Sequence, residues 1–212
     1  MTPPVRISVV IAVLALAVSG CGGSDHPSAK DKPVASSTSS ATPTDTPSAR
    51  DEPATSSSSA APAVGDIQET KYFSYRAPKG WKGPASPVVS GPVSVVGDTD
   101  DHDGFTDNIN VIRIDPPPAA TADALEKAAV LELKGGHATD IKVLPQQKID
   151  GTPAVHITSG FSQNGVKYLI NQFTMLHGNV AYVVTFSYSN TVTPKRENSV
   201  AQSVMATWKW AS

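Results

Sequence analysis

The sequence predicts an α+β domain in which two helices flank a mainly antiparallel sheet. Three hairpin turns follow one another in the second half of the chain, at Asp150-Gly151, Asn164-Gly165 and Gly178-Asn179. Alternating apolar and polar residues run between these turns, as in strands with one buried face. One helical pattern precedes the hairpins and another follows them. Consecutive hairpins with flanking helices are typical of an α+β sandwich.

The first strand of the domain is predicted from Tyr72 onward, and a Pro-x-Gly-Trp turn ends it. Two further strands are predicted at 92–96 and 109–114, separated by a very polar loop. The alternate residues of the first strand, which should share its buried face, are Phe73, Tyr75 and Ala77.

Both predicted helices begin at a threonine that can cap them. Thr121 precedes an amphipathic stretch over about 122–134, and two glycines end it. Thr193 is followed by a proline, which is favoured in the first helical turn. Apolar residues at helical spacing then continue to Trp208, although 207–210 also fits a final strand.

Four long strands are predicted between the two helices. Their ranges are 141–149, 155–162, 166–176 and 180–189. In the last of them large apolar residues alternate with smaller ones, so one face should be buried. The large residues are Tyr182, Val184, Phe186 and Tyr188.

The predicted domain, residues 67–212, is electrically neutral and has no cysteine. It carries 13 Lys plus Arg and 13 Asp plus Glu. Neutrality excludes the basic footprint of nucleic-acid binding and a polybasic membrane patch. The only cysteine, Cys21, precedes the domain, which excludes a disulfide framework and a CxxC site. A domain of 146 residues can bury a core of its own, so it needs no disulfide or metal to fold. We expect no cofactor.

Residues 1–20 have the features of a secretory signal peptide. Arg6 makes the start positive, and 7–18 is a predominantly apolar run of twelve residues. A membrane span needs about 20 apolar residues, so this run has the length of a signal-peptide apolar region.

The four residues 18–21, Val-Ser-Gly-Cys, resemble the lipobox of bacterial lipoproteins. The resemblance implies cleavage between Gly20 and Cys21 and attachment of two or three acyl chains, of the palmitate kind, at Cys21. Small residues give the peptidase access to the scissile bond, and the thiol accepts the diacylglyceryl group. The alternatives are an ordinary signal peptide or a buried N-terminal helix.

Residues 21–66 are predicted to be the lipidated cysteine and a disordered tether. From 22 to 66 the chain is dominated by Ser, Thr, Ala and Pro, and it has no Phe, Trp, Tyr, Ile, Leu or Met. Such a segment buries too little apolar surface to offset the entropy of ordering. As a coil it averages roughly 35–40 Å end to end, which lifts the domain away from the membrane. Its composition also permits O-glycosylation.

No catalytic constellation is recognised in the domain. The Thr158-Ser159-Gly160 run lacks the leading glycine of a nucleophile elbow. His137, His156 and His177 fall on different elements without metal-binding spacing. We expect His156 to be a hydrogen-bonded surface or boundary residue, and we expect no catalytic residue and no enzyme.

The polar loop is rich in carboxylates. Its acidic residues are Asp98, Asp100, Asp101, Asp103 and Asp107. Calcium prefers about six to eight oxygen ligands, which such a loop can supply. An EF-hand register, however, would place Thr99 and Asn110 where carboxylates belong. A solvated turn is therefore the favoured interpretation, with calcium binding as the alternative and no metal site otherwise predicted.

The aromatic residues of the domain can also be interpreted in two ways, as core packing or as the lining of a binding site. Such rings can line a pocket for an apolar or sugar-bearing ligand, but they more often pack in a core, which we favour here. They are Trp81, Trp208 and Trp210 with Tyr72, Tyr75, Tyr168, Tyr182 and Tyr188.

The run YFSYRAPKGW, 72–81, resembles the opening strand and turn of PsbP-like domains. It is similar in particular to the LpqN/LpqT-type lipoproteins of actinobacteria. The region 149–189 and the closing helix follow the same pattern. The resemblance implies a PsbP-like α/β/α sandwich and a non-enzymatic accessory or binding module. Its motifs carry the fold and supply no catalytic residues.

Together these features predict a non-catalytic accessory or interaction module of the cell envelope, lipid-anchored on the extracytoplasmic face of the cell membrane. The expected partner is an envelope protein or another envelope component. A rival hypothesis is a carrier that holds a lipid or glycolipid between helix and sheet, and a third is a hydrolase with an unrecognised site. A pocket lined by aromatic side chains would favour the carrier, and a solid core would favour the interaction module.

Overall fold

The computed structural model describes residues 60–84 and 91–212 of the 212-residue chain. The predicted signal peptide, the cleavage and lipidation positions Gly20 and Cys21, and the predicted tether up to residue 59 lie outside the described residues. The predicted end of the tether at residue 66 is wrong, because Ala63 is buried in the domain core and its amide donates to the Ser203 carbonyl at 2.9 Å. Within the described part, neither helix is long and apolar enough to cross a bilayer.

The described residues form nine strands and two helices. The strands are β1 Ile67–Glu69, β2 Phe73–Arg76, β3 Ser94–Gly97, β4 Asn108–Ile114, β5 Thr139–Ile149, β6 Thr152–Gln163, β7 Val166–His177, β8 Val180–Ser189 and β9 Lys209–Trp210. The helices are α1 Ala122–Gly135 and α2 Pro194–Met205.

The strands form two sheets, and helices cover both faces of the larger one. The larger sheet has six antiparallel strands in the order β3-β4-β8-β7-β6-β5. The smaller sheet has the order β1-β2-β9. α1 packs on one face of the larger sheet, and α2 and the smaller sheet pack on the other. The predicted α/β/α sandwich with a mainly antiparallel central sheet is therefore confirmed.

The three predicted hairpins are present, and their backbone angles explain the turn residues. Asp150 and Gly151 have φ of 45° and 80°, and Asn164 and Gly165 have φ of 53° and 82°. Two successive positive φ values define a type I′ turn, which suits Asp-Gly and Asn-Gly. Gly178, the first turn residue of the third hairpin, has φ of 60°.

Both predicted helix caps are also present. The Thr121 hydroxyl accepts a hydrogen bond from the Ala124 amide at 3.3 Å, and the Thr193 hydroxyl accepts one from Arg196 at 3.3 Å. The closing helix stops at Met205 and does not reach Trp208. The chain turns there because 209–210 pairs with β2 as the final strand β9.

Two apolar cores lie on opposite faces of the larger sheet. The α2 core contains the predicted buried face of β2, with Phe73, Tyr75 and Ala77 at most 1% exposed. It also contains the predicted buried face of β8: Tyr182, Val184, Phe186 and Tyr188. The α1 core joins Leu125 and Leu133 of α1 to β6, β7 and β8. β8 is therefore covered on both faces, which goes beyond the single buried face that its alternation predicts.

β1 is an element that the sequence pattern does not predict. Its three residues, 67–69, are exposed or half-buried and pair only with β2. A strand this short, with no buried alternation, gives no periodic signal.

Candidate ligand-binding cleft

A cleft of about 780 Å³ opens between α1 and the sheet face that α1 covers. This volume falls in the range of about 300–1,000 Å³ that is usual for small-molecule sites. From the helix the cleft is lined by Leu125, Ala128, Ala129, Leu131, Glu132, Gly135 and Gly136. From the sheet and its loops it is lined by Ile114, Pro118, Phe161, Ser162, Gln163, Tyr168, Gln172, Thr174, Ala181 and Val183.

The cleft exists because small residues face the sheet between two large ones. Leu125 and Leu133, 1% and 2% exposed, hold the two ends of α1 against the sheet. Between them Ala128 and Ala129 are too short to fill the space above β7 and β8, where Ala181 is equally small. The helix is thus held against the sheet while a gap remains along it, lined from Leu125 to Gly136.

The lining is mainly apolar, with a few polar groups. Tyr168 stacks on Phe161 at 5.6 Å and on Phe105 at 5.4 Å between ring centroids, so three rings form one wall beside the cleft. Gln172 donates to the Thr185 hydroxyl at 3.4 Å, and its side chain reaches the cleft from β7. Among the described residues, none that line the cleft is a lysine, an arginine or a histidine.

Glu132 is the single carboxyl group among these lining residues. Its side chain is half-buried, and burial raises the pKa of Glu132 to about 7. Burial has this effect because a charged carboxylate loses more hydration than a neutral carboxylic acid does. Near neutral pH the cleft therefore holds a carboxyl group that is partly protonated.

The predicted aromatic residues are divided between the cores and the cleft. Trp81, Trp208 and Tyr75 are buried in the α2 core, as the packing interpretation predicts. Tyr168 alone among the predicted aromatics lines the cleft. Phe161 and the helix residues of the lining were missed. The available signal was a pair of alanines, 128–129, on the face of α1 that carries its leucines.

The carboxylates of the acidic loop bind backbone groups of the loop itself. Asp98 accepts from the Asp100 amide, and Asp101 accepts from the Asp103 amide, both at 3.2 Å. Asp103 accepts from the amide of Phe105 at 3.1 Å and from the hydroxyl of Thr191 at 3.0 Å. These contacts are those of a hydrogen-bonded turn, in keeping with the favoured interpretation.

Asp107 differs from the other acidic residues because it is buried, at 6% exposed. Its carboxylate accepts from the Ser189 amide at 2.8 Å and so joins β8 to the loop. Burial raises the pKa of Asp107 to about 6. In the described ranges no three His, Cys, Asp or Glu side chains are grouped as metal ligands, so calcium binding stays a prediction.

His156 is buried, at 1% exposed, which corrects its expected surface or boundary position. Its Nε2 lies 2.8 Å from Oδ1 of Asn171, and its Nδ1 lies 3.1 Å from Nε2 of Gln147. Because an amide oxygen only accepts, Nε2 of His156 carries the proton. The ring stacks on Phe173 at 4.1 Å. Ser159 lies on the opposite face of β6, so the two side chains do not form a nucleophile and base pair.

Glu197 of α2 lies beyond Asn171 and completes a row of polar groups. His156, Asn171 and Glu197 of this row are buried, and Gln147 is half-buried. Glu197 is 5% exposed, and burial raises its pKa to about 7, although Asn171 and Lys142 act in the opposite direction. Within the described structure, Oε1 of Glu197 and Nδ2 of Asn171 have no hydrogen-bond partner. This row lies in the α2 half of the fold and is separate from the cleft.

Comparison with known proteins finds structural similarity only. No protein-family model and no curated protein matches the chain. It is similar to a protein of Bacteroides thetaiotaomicron, with 17% identity, 70% of this chain covered and a TM-score of 0.47. The match covers 49% of that protein, so this chain spans about half its length.

Two further solved structures are similar. LpqN, described as involved in cell envelope biogenesis of Mycobacterium tuberculosis, has 13% identity over 70% of this chain and 86% of its own, with a TM-score of 0.49. The cyanobacterial PsbP protein of Synechocystis, CyanoP, has 15% identity over 70% of this chain and 94% of its own, with a TM-score of 0.46. At these values the similarities assign no family, ligand or activity to the chain.

Proposed function

We propose that the domain is a non-catalytic binding module of the cell envelope that holds the apolar part of a lipid or glycolipid in the cleft beneath α1. The observation that carries this proposal is the cleft itself, about 780 Å³ in volume and lined mainly by apolar side chains. A solid core on both faces of the sheet would have favoured a module that presents only its surface to an envelope protein. The gap between α1 and β7–β8 instead favours the carrier hypothesis.

The charge of the lining supports an uncharged ligand headgroup. Among the described lining residues no cationic side chain is available for a phosphate or a carboxylate, and Glu132 would repel either. Hydroxyl and amide groups at Tyr168, Gln172 and Thr174 supply neutral hydrogen-bonding partners instead. A sugar or another neutral polar group is the headgroup chemistry that this lining fits.

The proposal places the module on the outer face of the membrane, as an LpqN/LpqT-type lipoprotein. It rests here on the lipobox-like residues 18–21 and on the resemblance of 72–81, not on the described structure. A flexible segment from Cys21 to about residue 59 would let the cleft reach ligands roughly 30–40 Å from the anchor.

Cys21→Ser is expected to release the protein from the membrane or to leave its signal peptide unprocessed. The acyl chains attached to Cys21 would contribute about 0.8 kcal/mol per buried CH₂, so two or three chains anchor firmly and their loss leaves no comparable contact. Detergent-phase partitioning of cell extracts measures the change. Ser24→Ala, just outside the lipobox, is the matched control and should partition like the wild type. A Cys21→Ser protein that is cleaved like the wild type and still stays in the detergent phase would refute the anchor.

Native mass spectrometry tests the binding module. The whole chain carrying Cys21→Ser, produced in an actinobacterial host and purified without detergent, is expected to carry an added mass that extracts into organic solvent. Ala128→Trp in the same chain should remove that mass, because an indole at this position fills the space between α1 and β8. Lys127→Trp, an exposed neighbour outside the lining, is the matched control and should keep it.

An added mass that survives Ala128→Trp would place the ligand elsewhere on the protein. A clean apo mass, in a preparation that still binds a specific envelope protein, would favour the interaction module over the carrier.

A further inference from the structure

We infer that Glu132 makes the occupancy of the cleft dependent on pH, so that an apolar chain is held while the carboxyl group is protonated and released when it ionises. This inference rests on the proposed binding function. It adds a regulation of that same cleft and names the single side chain responsible.

Glu132 lines the cleft from α1, and its carboxyl group is desolvated by burial. The helix residues one turn before and after it also line the cleft, so Glu132 lies in the middle of the helical wall. These residues are Ala128, Ala129, Gly135 and Gly136. None of them has a polar side chain that could form a hydrogen bond with the carboxyl group.

Within the described part of the chain, the elements packed against α1 bring to the cleft lining no cationic side chain that could balance an ionised Glu132. β7 contributes one titratable group to the lining, Tyr168, whose own pKa is raised by burial. β6 contributes Ser162 and Gln163, which are uncharged. No residue of β5 lines the cleft. On β5, Lys142 acts on Glu197 at the opposite sheet face, Lys148 pairs with Pro153 at the far end of the hairpin, and Asp140 is exposed.

The other charged residues of α1 do not line the cleft either: they are Asp123, Glu126, Lys127 and Lys134. Burial alone therefore sets the pKa of Glu132, at about 7 in the empty cleft. A bound apolar chain removes the remaining water from the carboxyl group. This raises the pKa of Glu132 further in the complex, because a neutral acid loses less on desolvation than a carboxylate.

The sign of the pH effect follows from linkage. Because the complex binds the proton more tightly than the free protein, ligand binding takes up a proton as the pH approaches and exceeds 7. The affinity for the ligand is therefore highest below about pH 6 and falls as the pH rises through about 7. Above about pH 7 the affinity falls by at most about tenfold per pH unit. Between about pH 6 and about pH 8.5 we expect the Kd for an uncharged apolar ligand to rise by about tenfold.

The test uses N-phenyl-1-naphthylamine, an uncharged fluorescent probe that does not titrate in this range. Its Kd is measured at intervals from about pH 5.5 to about pH 8.5 with the whole chain carrying Cys21→Ser. Adding Glu132→Gln is expected to give one Kd at every pH, close to that of the parent chain at acidic pH. Glu126→Gln removes the same charge from the same helix outside the lining and should keep the parent profile.

Glu132→Leu is a second variant and should also give a flat profile, with equal or tighter binding. Probe binding that is independent of pH in the parent chain would overturn the inference and leave the binding function standing. A pH dependence that persists in both Glu132 variants would do the same. Failure of the parent chain to bind the probe at any pH would instead overturn the proposed function, and the inference with it.

Discussion

Trp208→Ala is expected to lower the free energy of unfolding by about 3–5 kcal/mol, the usual cost of removing a large aromatic side chain from a core. Trp208 is 1% exposed and follows the end of α2. Its ring stacks on Phe73 at 4.2 Å and on Tyr75 at 5.7 Å between centroids. Trp208 thus packs in the core that α2 and the smaller sheet share. Urea unfolding of the variant and the wild type measures the difference.

Trp208→Phe is the matched control because it keeps a ring between the same partners. It also removes the indole Nε1, which is buried without a hydrogen-bond partner in the described part of the chain. An unpaired buried donor costs about 1–3 kcal/mol, so losing it offsets part of the lost packing. We expect Trp208→Phe to cost less than half as much as the alanine variant. Equal losses for the two variants would show that the stacking does not carry the stability.

Glu197→Gln is expected to make the protein less sensitive to pH and more stable above pH 7. Burial raises the pKa of Glu197 from 4.5 to about 7 in the folded protein. Below about pH 4.5 the carboxyl group is neutral in both the folded and the unfolded state, so its ionisation does not lower the free energy of unfolding. Between about pH 4.5 and 7 the unfolded chain ionises first, so stability falls as the pH rises, by up to about 3 kcal/mol. Above about pH 7 the loss is complete.

Comparing the free energy of unfolding of Glu197→Gln with that of the wild type at each pH separates the effect of Glu197 from that of the other titrating groups. Glu132 and Asp107 have pKa values raised by burial and change stability in the same direction. Burial lowers the pKa of His156, so its contribution is lost as the pH falls. Because these groups remain in the variant, the difference between the two stability curves should be near zero at about pH 4.5 and largest above about pH 7. A constant difference would contradict a buried, titrating Glu197.

Features set by neighbouring residues were predictable from the sequence. Asn164-Gly165 predicts its turn because positive φ at two adjacent positions is a local demand. Thr121 and Thr193 predict helix starts because each cap bonds an amide three residues on. The α+β class follows from the order of these elements, and the structure confirms it.

Features set by contacts between distant segments were not predictable. β4 lies beside β8 although the two are far apart in sequence, and no local pattern indicates that pairing. The sequence predicts a surface or boundary position for His156, but α2 and the smaller sheet cover that face of β6. A cleft between helix and sheet belongs to the rival carrier hypothesis, but its helix lining was not predictable for the same reason. Ala128 and Ala129 are ordinary helix residues until the sheet beneath them is known.

The smaller sheet and the meander β5–β8 differ in the length of chain that separates their paired strands. Phe73 of β2 pairs with Trp210 of β9 at the other end of the domain, whereas β5, β6, β7 and β8 pair through short turns. Hairpins form within about microseconds, whereas pairing of distant segments is slower because closing a long loop costs more chain entropy. We therefore expect the meander and α1 to form early and the β2–β9 pairing to form late. We also expect the β2–β9 pairing to open first on partial unfolding, which would expose the aromatic stack of Phe73 and Trp208 while the residues that line the cleft stay packed.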